Sequence, residues 1–262
     1  MSGRKSQMSK THYFDVVDST NNKAKELAAH GAKHGTVVWA KQQTSGRGRL
    51  GKQWKSVKGK GLFMSIVLRP RVACEELARI TLVIGLAVSE VLDTITGVEV
   101  QLKWPNDVLI EDKKCCGILV ESSSVNAEEV YVVAGIGINV NHSECDFLGE
   151  LEGNATSLAI VCGKDKNLEK VMELVRDSVL QKSKLFEQGE FPALLAQWRK
   201  RDCLAGKLMQ CIDCRGRIVQ GIALGPDENG ILHVRDEEGR EYEVMSGDIR
   251  LAIVDGSDER LQ

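Results

Sequence analysis

The pattern of apolar residues changes near residue 203, and this change constrains the fold more than any other feature of the sequence. Before it, strand-like segments are mixed with segments of helical spacing at 75–95 and 168–186. After it, five short and largely alternating strands are separated by turn residues. A chain of 262 residues can bury a core without a disulfide or metal staple. We therefore predict a disordered tail at 1–10, an α+β domain at 11–202 and a small β-domain at 203–262.

Charge and cysteine content exclude several classes of protein. The chain has 35 Lys and Arg against 37 Asp and Glu, so its net charge of −2 gives no general attraction to nucleic acid. Its longest markedly apolar stretch, 82–88, is far below the ~20 residues of a membrane-spanning helix. Eight cysteines without a secretory signal favour reduced thiols and a cytoplasmic location, with an organelle such as the mitochondrion as the alternative. Cys211 and Cys214 have the spacing of half a zinc site, but no second pair completes it, so we expect packing residues there.

A basic, glycine-rich segment follows the second predicted strand. Seven Lys or Arg residues and no acidic residue lie between Lys41 and Lys60. Glycines at 46, 48 and 51 allow the backbone to approach a ligand closely, and the guanidinium groups of Arg47 and Arg49 can bind phosphate or carboxylate oxygens. The segment predicts a loop that binds a small polyanion. A solvated basic hairpin is the alternative for this segment taken alone.

Two further segments carry polar or small residues at the ends and on the faces of predicted strands. Turn residues Pro105, Asn106 and Asp107 follow Lys103 and Trp104, so their polar groups can project from a rigid edge.

Lys114 precedes a buried-looking strand, where a partly desolvated ammonium group could neutralise a phosphate. Gly135 and Gly137 leave one strand face bare, which suits either a flat ligand or close backbone packing.

Together these segments resemble the biotin protein ligase family, whose members attach biotin to biotin-dependent carboxylases. The resemblance runs in the family order from Asp18 to Asn141, and Gly46-Arg47-Gly48-Arg49 followed at this distance by Lys103 to Asp107 is a specific combination. It extends weakly to Ser246-Gly247-Asp248-Ile249, which fits the closing strand of the family. Some bacterial members carry an N-terminal helix-turn-helix domain, for which the residues before the first predicted strand are too few. We therefore expect the ligase-only form, without repressor function.

The resemblance implies a class II synthetase-like domain, with a mixed β-sheet and helices on one side, followed by an SH3-like β-barrel. It implies that biotin and MgATP give biotinyl-5′-AMP, and that a lysine of a carrier domain then takes the biotinyl group. It also implies roles for particular residues. The catalytic residues would be Lys114, Arg49 and Asp107; biotin would contact Ser19, Thr20, Gln43, Gly46, Arg47, Lys114, Gly117, Gly135 and Gly137; ATP would contact Arg47, Arg49, Trp54, Asn106, Lys114 and Asn139.

Asp107 has two candidate roles. A free lysine with a pKa of ~10.4 is rarely unprotonated at pH 7, so a carboxylate near the acceptor lysine could receive or orient its proton. Asp107 is our candidate for that base, and anchoring the arginine loop is the alternative.

Two other functions fit the sequence less well. A lipoate ligase shares the fold and chemistry but lacks the turn at 103–107, and an RNA-binding module would need interleaved aromatic residues that the basic strands lack. We expect a carboxylase carrier domain as partner, neither specific DNA binding nor membrane association, and leave a homodimer open. The Mg²⁺ ligands are not assigned.

Overall fold

The computed structural model describes residues 10–124, 130–212, 216–244 and 250–251. Contacts between Cα atoms divide the chain into two compact units at Arg201 and Asp202. Three predictions fall on positions outside the described residues: the tail at 1–9, the thiol of Cys214 and the closing segment 246–249.

The first unit contains a seven-stranded mixed sheet in the order β1-β2-β3-β7-β6-β5-β4. Strands β1 and β2 are parallel, and every other neighbouring pair in this sheet is antiparallel. The strands are β1 Thr11–Phe14, β2 Thr36–Ala40, β3 Gly61–Leu68, β4 Val100–Lys103, β5 Asp107–Ile110, β6 Lys113–Ser124 and β7 Val130–Asn139.

Five α-helices accompany this sheet in the described part of the first unit. They are α1 Thr20–Ala29, α2 Ile80–Thr96, α3 Leu158–Cys162, α4 Leu168–Glu187 and α5 Phe191–Arg199. The helix predicted over 75–95 begins instead as a 3-10 helix at Cys74–Arg79, where the Glu76 carboxylate accepts a hydrogen bond from the Ala73 N–H. No helix of the described residues is long and apolar enough to cross a membrane.

The helices lie on both faces of the sheet, whereas the family resemblance implied helices on one side. Gly85 of α2 faces Leu102 and Ile118 on one face. Helix α1 packs on the other face, where Ala24 and Ala28 form a buried cluster with Val133. Helix α1 covers one end of that face, and residues 46–54, which follow β2, lie over the region around Gly117 and Gly137.

The second unit is a five-stranded antiparallel sheet in the order β11-β10-β9-β8-β12. Its strands are β8 Leu208–Ile212, β9 Ile218–Pro226, β10 Leu232–Arg235, β11 Glu241–Val244 and β12 Arg250–Leu251. Residues in β9 alternate between buried and exposed, as in a sheet with one face on a core. The turn residues Asn229 and Gly230 join β9 to β10, as their sequence predicts.

Candidate active site

A glycine floor occupies the open part of the sheet. Gly117 of β6 lies opposite Gly137 of β7. The indole ring of Trp54 rests on both, since a Cβ added to either glycine would come within 2.7 Å of that ring. The buried Nε1 of Trp54 has no hydrogen-bond partner among the described residues. These two glycines thus provide a flat surface that accepts an aromatic ring, with an unused donor beside it.

Lys114 reaches the edge of this floor. Its ammonium nitrogen lies 2.6 Å from Asp107 Oδ1 and 5.6 Å from the centroid of the Trp54 ring. The side chain is 34% exposed, so the charge is partly desolvated but still accessible to a ligand. The sequence predicted both residues in the site, and the structure brings them together as an ion pair.

The backbone next to Lys114 is fixed by a segment that the sequence analysis did not single out. The Lys114 N–H donates to the Asn154 carbonyl, and the Thr156 N–H donates to the Lys114 carbonyl. The side-chain amide of Asn139 donates to the carbonyls of Thr156 and Lys114. Asn139 was predicted to contact ATP. The structure shows its amide bonded to the backbone of Lys114 and of the neighbouring Thr156, and the ATP contact stays a prediction.

The basic segment forms a hairpin over residues 46–54. The Trp54 N–H donates to the Gly46 carbonyl, and the Gly48 N–H donates to the Lys52 carbonyl. Gly46 is needed at the base because a Cβ there would lie 2.6 Å from the Trp54 carbonyl oxygen. The segment is thus a basic hairpin, as the alternative prediction for this segment had it. Its arginines, however, form hydrogen bonds with other side chains.

Each arginine of the hairpin reaches a different part of the first unit. Arg49 Nη1 donates to Asn106 Oδ1 at 3.2 Å, while the Asn106 amide nitrogen donates to the Ile118 carbonyl. Arg47 Nη2 donates to Asn22 Oδ1 and to Glu121 Oε2. The hairpin is therefore attached to both sides of the glycine floor.

A buried polar network lies between α1 and the sheet. Gln43 Oε1 accepts hydrogen bonds from the N–H and the hydroxyl of Thr20, at 2.8 and 3.1 Å. The hydroxyl of Ser65 lies 2.8 Å from the Thr20 hydroxyl and 2.6 Å from Asn21 Oδ1. Ser19, the N-cap residue of α1, is buried beside them. Ser19, Thr20 and Gln43 were predicted to bind biotin, and the structure places them around the N-terminus of α1.

Asn21 and Ser65 were missed as site residues. The Asn21 amide nitrogen donates to the Leu119 carbonyl and to Glu121 Oε2, and a side chain at Gly135 would overlap the Asn21 amide. One signal was available for Ser65, because it interrupts the otherwise apolar run of β3. The contact with Asn21 thus explains why residue 135 is a glycine, and the predicted contact of Gly135 with biotin stays a prediction.

Comparisons with known proteins identify the family. The model of the biotin/lipoate A/B protein ligase family matches residues 13–139. The chain is 35% identical over 239 residues to the bifunctional ligase/repressor BirA of Bacillus spizizenii, covering 91% of this chain and 73% of that protein. The chain belongs to the biotin protein ligase family. It is also 32% identical to the biotin--[acetyl-CoA-carboxylase] ligase of Paracoccus denitrificans, covering 86% of this chain and 94% of that protein.

A solved member of the biotin protein ligase family has the same fold. The biotin protein ligase from Aquifex aeolicus, in complex with biotin and ATP, matches with a TM-score of 0.79 and 31% identity, covering 94% of this chain and all of that chain. The family and the α+β class predicted from the sequence are confirmed.

Proposed function

We propose that this chain is an ATP-dependent ligase that activates biotin as biotinyl-5′-AMP and transfers the biotinyl group to a lysine of a carboxylase carrier domain. The observation that carries the proposal is the convergence of Lys114, Arg49 and Trp54 at the glycine floor, beside a buried polar network. Its similarity to a biotin--[acetyl-CoA-carboxylase] ligase supports biotin over lipoate, and the Aquifex aeolicus complex supports biotin and ATP as ligands.

Lys114 serves the first step. A biotin carboxylate oxygen attacks the α-phosphorus, a new P–O bond forms, and the bond to pyrophosphate breaks. The ammonium group of Lys114 offsets the repulsion between the two anions and stabilises the charge that develops in the transition state. The ion pair with Asp107 holds Lys114 over Gly117 before the substrates enter.

The polar network serves recognition of the biotin ring. Gln43 uses its carbonyl oxygen to accept from Thr20, so its amide nitrogen is directed toward Gly46. That nitrogen is a donor suited to the carbonyl oxygen of a ureido ring. Ser19 is buried at the N-cap of the same helix, and Gly135 leaves room for the Asn21 side chain of α1 to lie against the sheet.

The hairpin serves retention of the nucleotide. Arg49, already directed at Asn106, can bind the phosphate of the adenylate, and Trp54 offers an indole face and an unused N–H to the nucleotide. A closed hairpin also excludes water from the reactive anhydride. We propose that the backbone of Arg47, next to Gly46, contacts biotin.

Asp107 would act in the second step as well. The acceptor lysine attacks the carbonyl carbon of the anhydride, an amide bond forms, AMP leaves, and the amine loses a proton. The Asp107 carboxylate is our candidate to receive that proton. Its contact with Lys114 supports an additional role in orienting the Lys114 ammonium group.

Magnesium is proposed to enter with the triphosphate. Among the described residues, no group of three or more His, Cys, Asp or Glu is arranged to hold a metal ion. Mg²⁺ commonly keeps several waters and binds substrate phosphates together with one or two carboxylates. It would neutralise the charge of the phosphates, while the chain supplies Lys114 and the arginines.

We propose that the catalytic domain spans 11–202 and that 203–262 forms the SH3-like domain.

Calorimetric titration tests the substrate class. The whole chain should bind biotin. Lipoate and a short RNA, each at the same concentration, should give no heat above that of dilution. Binding of lipoate instead of biotin would favour the lipoate ligase, and binding of RNA alone would favour the nucleic-acid module.

A further inference from the structure

Glu121 lies on β6 where three parts of the first unit meet. Its Oε1 accepts from Lys25 Nζ of α1 at 2.5 Å. Its Oε2 accepts from Asn21 Nδ2 of α1 at 2.8 Å and from Arg47 Nη2 of the hairpin at 3.0 Å. No role was predicted for this carboxylate, although it ends an apolar run. One side chain therefore connects the sheet, the first helix and the hairpin.

The carboxylate is well placed to act as a fixed anchor. Its side chain is 21% exposed, and it accepts bonds from two cations and an amide. Partial burial opposes ionisation, but the hydrogen bonds from Lys25 and Asn21 and the charges of Lys25 and Arg47 outweigh it, so the pKa of Glu121 lies below its usual value. Glu121 is thus held in the charged form that a guanidinium group prefers.

The attachment point on the hairpin lies at its base. Arg47 forms a bridge with Gln53 across the hairpin, directly beside Gly46 and Trp54. The same nitrogen, Nη2, donates to Glu121 and to Asn22, whose amide donates in turn to Asp18. Holding Arg47 therefore holds the residues that place Trp54 on the glycine floor.

Arg47 is the arginine of the hairpin that contacts the Glu121 carboxylate. That carboxylate would repel an incoming phosphate at the same position. The contact therefore assigns attachment of the hairpin to Arg47.

We propose that Glu121 is a positioning residue that fastens the hairpin to β6 through Arg47, and so lengthens the time for which the site retains the adenylate. The proposal rests on the proposed ligase function. Glu121 touches neither substrate; it acts through Arg47 and Asn21.

The test measures escape of biotinyl-AMP from the whole protein. Labelled intermediate is formed with biotin and MgATP, and its release is followed after a chase with excess unlabelled biotin. Glu121→Gln keeps an acceptor for Asn21 and removes the charge that holds Arg47, so release should be about five- to tenfold faster. The rate of adenylate formation and the melting temperature should change little.

Lys25→Met is the matched control. It removes the other cation on the same carboxylate, and that cation belongs to α1 instead of the hairpin. Release from this variant should stay within about twofold of the wild type. Equal acceleration in Lys25→Met and Glu121→Gln would overturn the proposal, because it would indicate a general loss of local stability.

Arg47→Met removes the other partner of the same contact. The Arg47 side chain is 41% exposed, so its replacement should not disturb the core. It should accelerate release as much as Glu121→Gln, and the double variant should be no faster than either single one. Additive effects, or unchanged release from folded Arg47→Met, would overturn the proposal. Absence of any adenylate with the wild type would instead contradict the proposed function.

Discussion

Two halves of the candidate site are built in opposite ways. The polar network of Thr20, Asn21 and Ser65 is buried, and its groups bond to one another across α1 and β3. The half containing Lys114 and Arg49 is partly exposed and held by contacts between charged or polar side chains. Burial and mutual hydrogen bonding fix a side chain more firmly than exposed contacts do. The first half is thus shaped before a ligand arrives, whereas the second can exchange its partners for substrate phosphates.

Removing Lys114 should have the largest effect on the exchangeable half. Lys114→Ala should lower adenylate formation at least about a hundredfold, because one charge aimed at the transition state is lost. Pyrophosphate exchange measures this step. Lys113→Ala, the neighbouring lysine, is the control and should keep nearly the wild-type rate. Wild-type exchange in a folded Lys114→Ala variant would remove Lys114 from the mechanism.

Removing the Asn21 side chain should destabilise the preformed half of the site. Asn21→Ala leaves the Leu119 carbonyl and the Glu121 carboxylate without one donor, which should lower the free energy of unfolding by about 2 kcal/mol. Biotin should bind more weakly because Thr20 and Ser65 lose their neighbour. Denaturant unfolding and titration measure the two effects.

The control for that experiment is the next residue. Asn22 is exposed, so Asn22→Ala should cost under about 1 kcal/mol of unfolding free energy. If the two alanine variants were equally stable, the claim that the Asn21 half is preformed would be wrong.

Removing Arg49 should loosen the exchangeable half without unfolding it. Arg49→Gly should release biotinyl-AMP about tenfold faster, since one phosphate contact is lost, and biotin should appear on unrelated lysines nearby. A chase with unlabelled biotin measures the lifetime of the intermediate. Lys55→Ala, an exposed cation of the same basic segment, should leave that lifetime unchanged. An unchanged lifetime in Arg49→Gly would argue against its role in retention.

The smallest effect is expected from adding a methyl group to the floor. Gly137→Ala would bring a Cβ within 2.7 Å of the Trp54 ring, so Trp54 must shift. This shift should lower the free energy of unfolding by about 1 kcal/mol. Gly85→Ala in α2 meets nothing closer than 3.6 Å and should be neutral or slightly stabilising. Denaturant unfolding of both variants checks this. Equal stability would mean that Trp54 does not rest firmly on the glycines.

The sequence predicted one half of the site better than the other. Arg49, Trp54 and Lys114 lie in short motifs whose charge and glycine content indicate binding, and the structure brings them together. Asn21, Ser65 and Glu121 act through the order β3-β7-β6, which sets Ser65 opposite Gly135 and Gly135 opposite Leu119. Strand order and register depend on distant parts of the chain. Ser65 stands out as a polar residue in an apolar run, but that local pattern does not predict which side chains it contacts.

The boundaries of elements show the same limitation. The strand predicted at 36–43 ends at Ala40, because Gln43 turns to pair with Val17 and its N–H donates to the Ser56 hydroxyl. Apolar alternation could not reveal that competition. The capping pattern of α1, by contrast, is local, and the helix predicted over 21–30 is found at Thr20–Ala29.

Mass spectrometry of a carrier domain tests the central claim most directly. A purified biotin carrier domain is incubated with this chain, biotin and MgATP, beside reactions that lack ATP, that contain lipoate in place of biotin, or that contain Lys114→Ala. We predict a single biotinyl adduct on one lysine of the carrier in the complete reaction, and almost none in the others. A carrier that stays unmodified in the complete reaction, or that gains lipoate instead, would contradict the account.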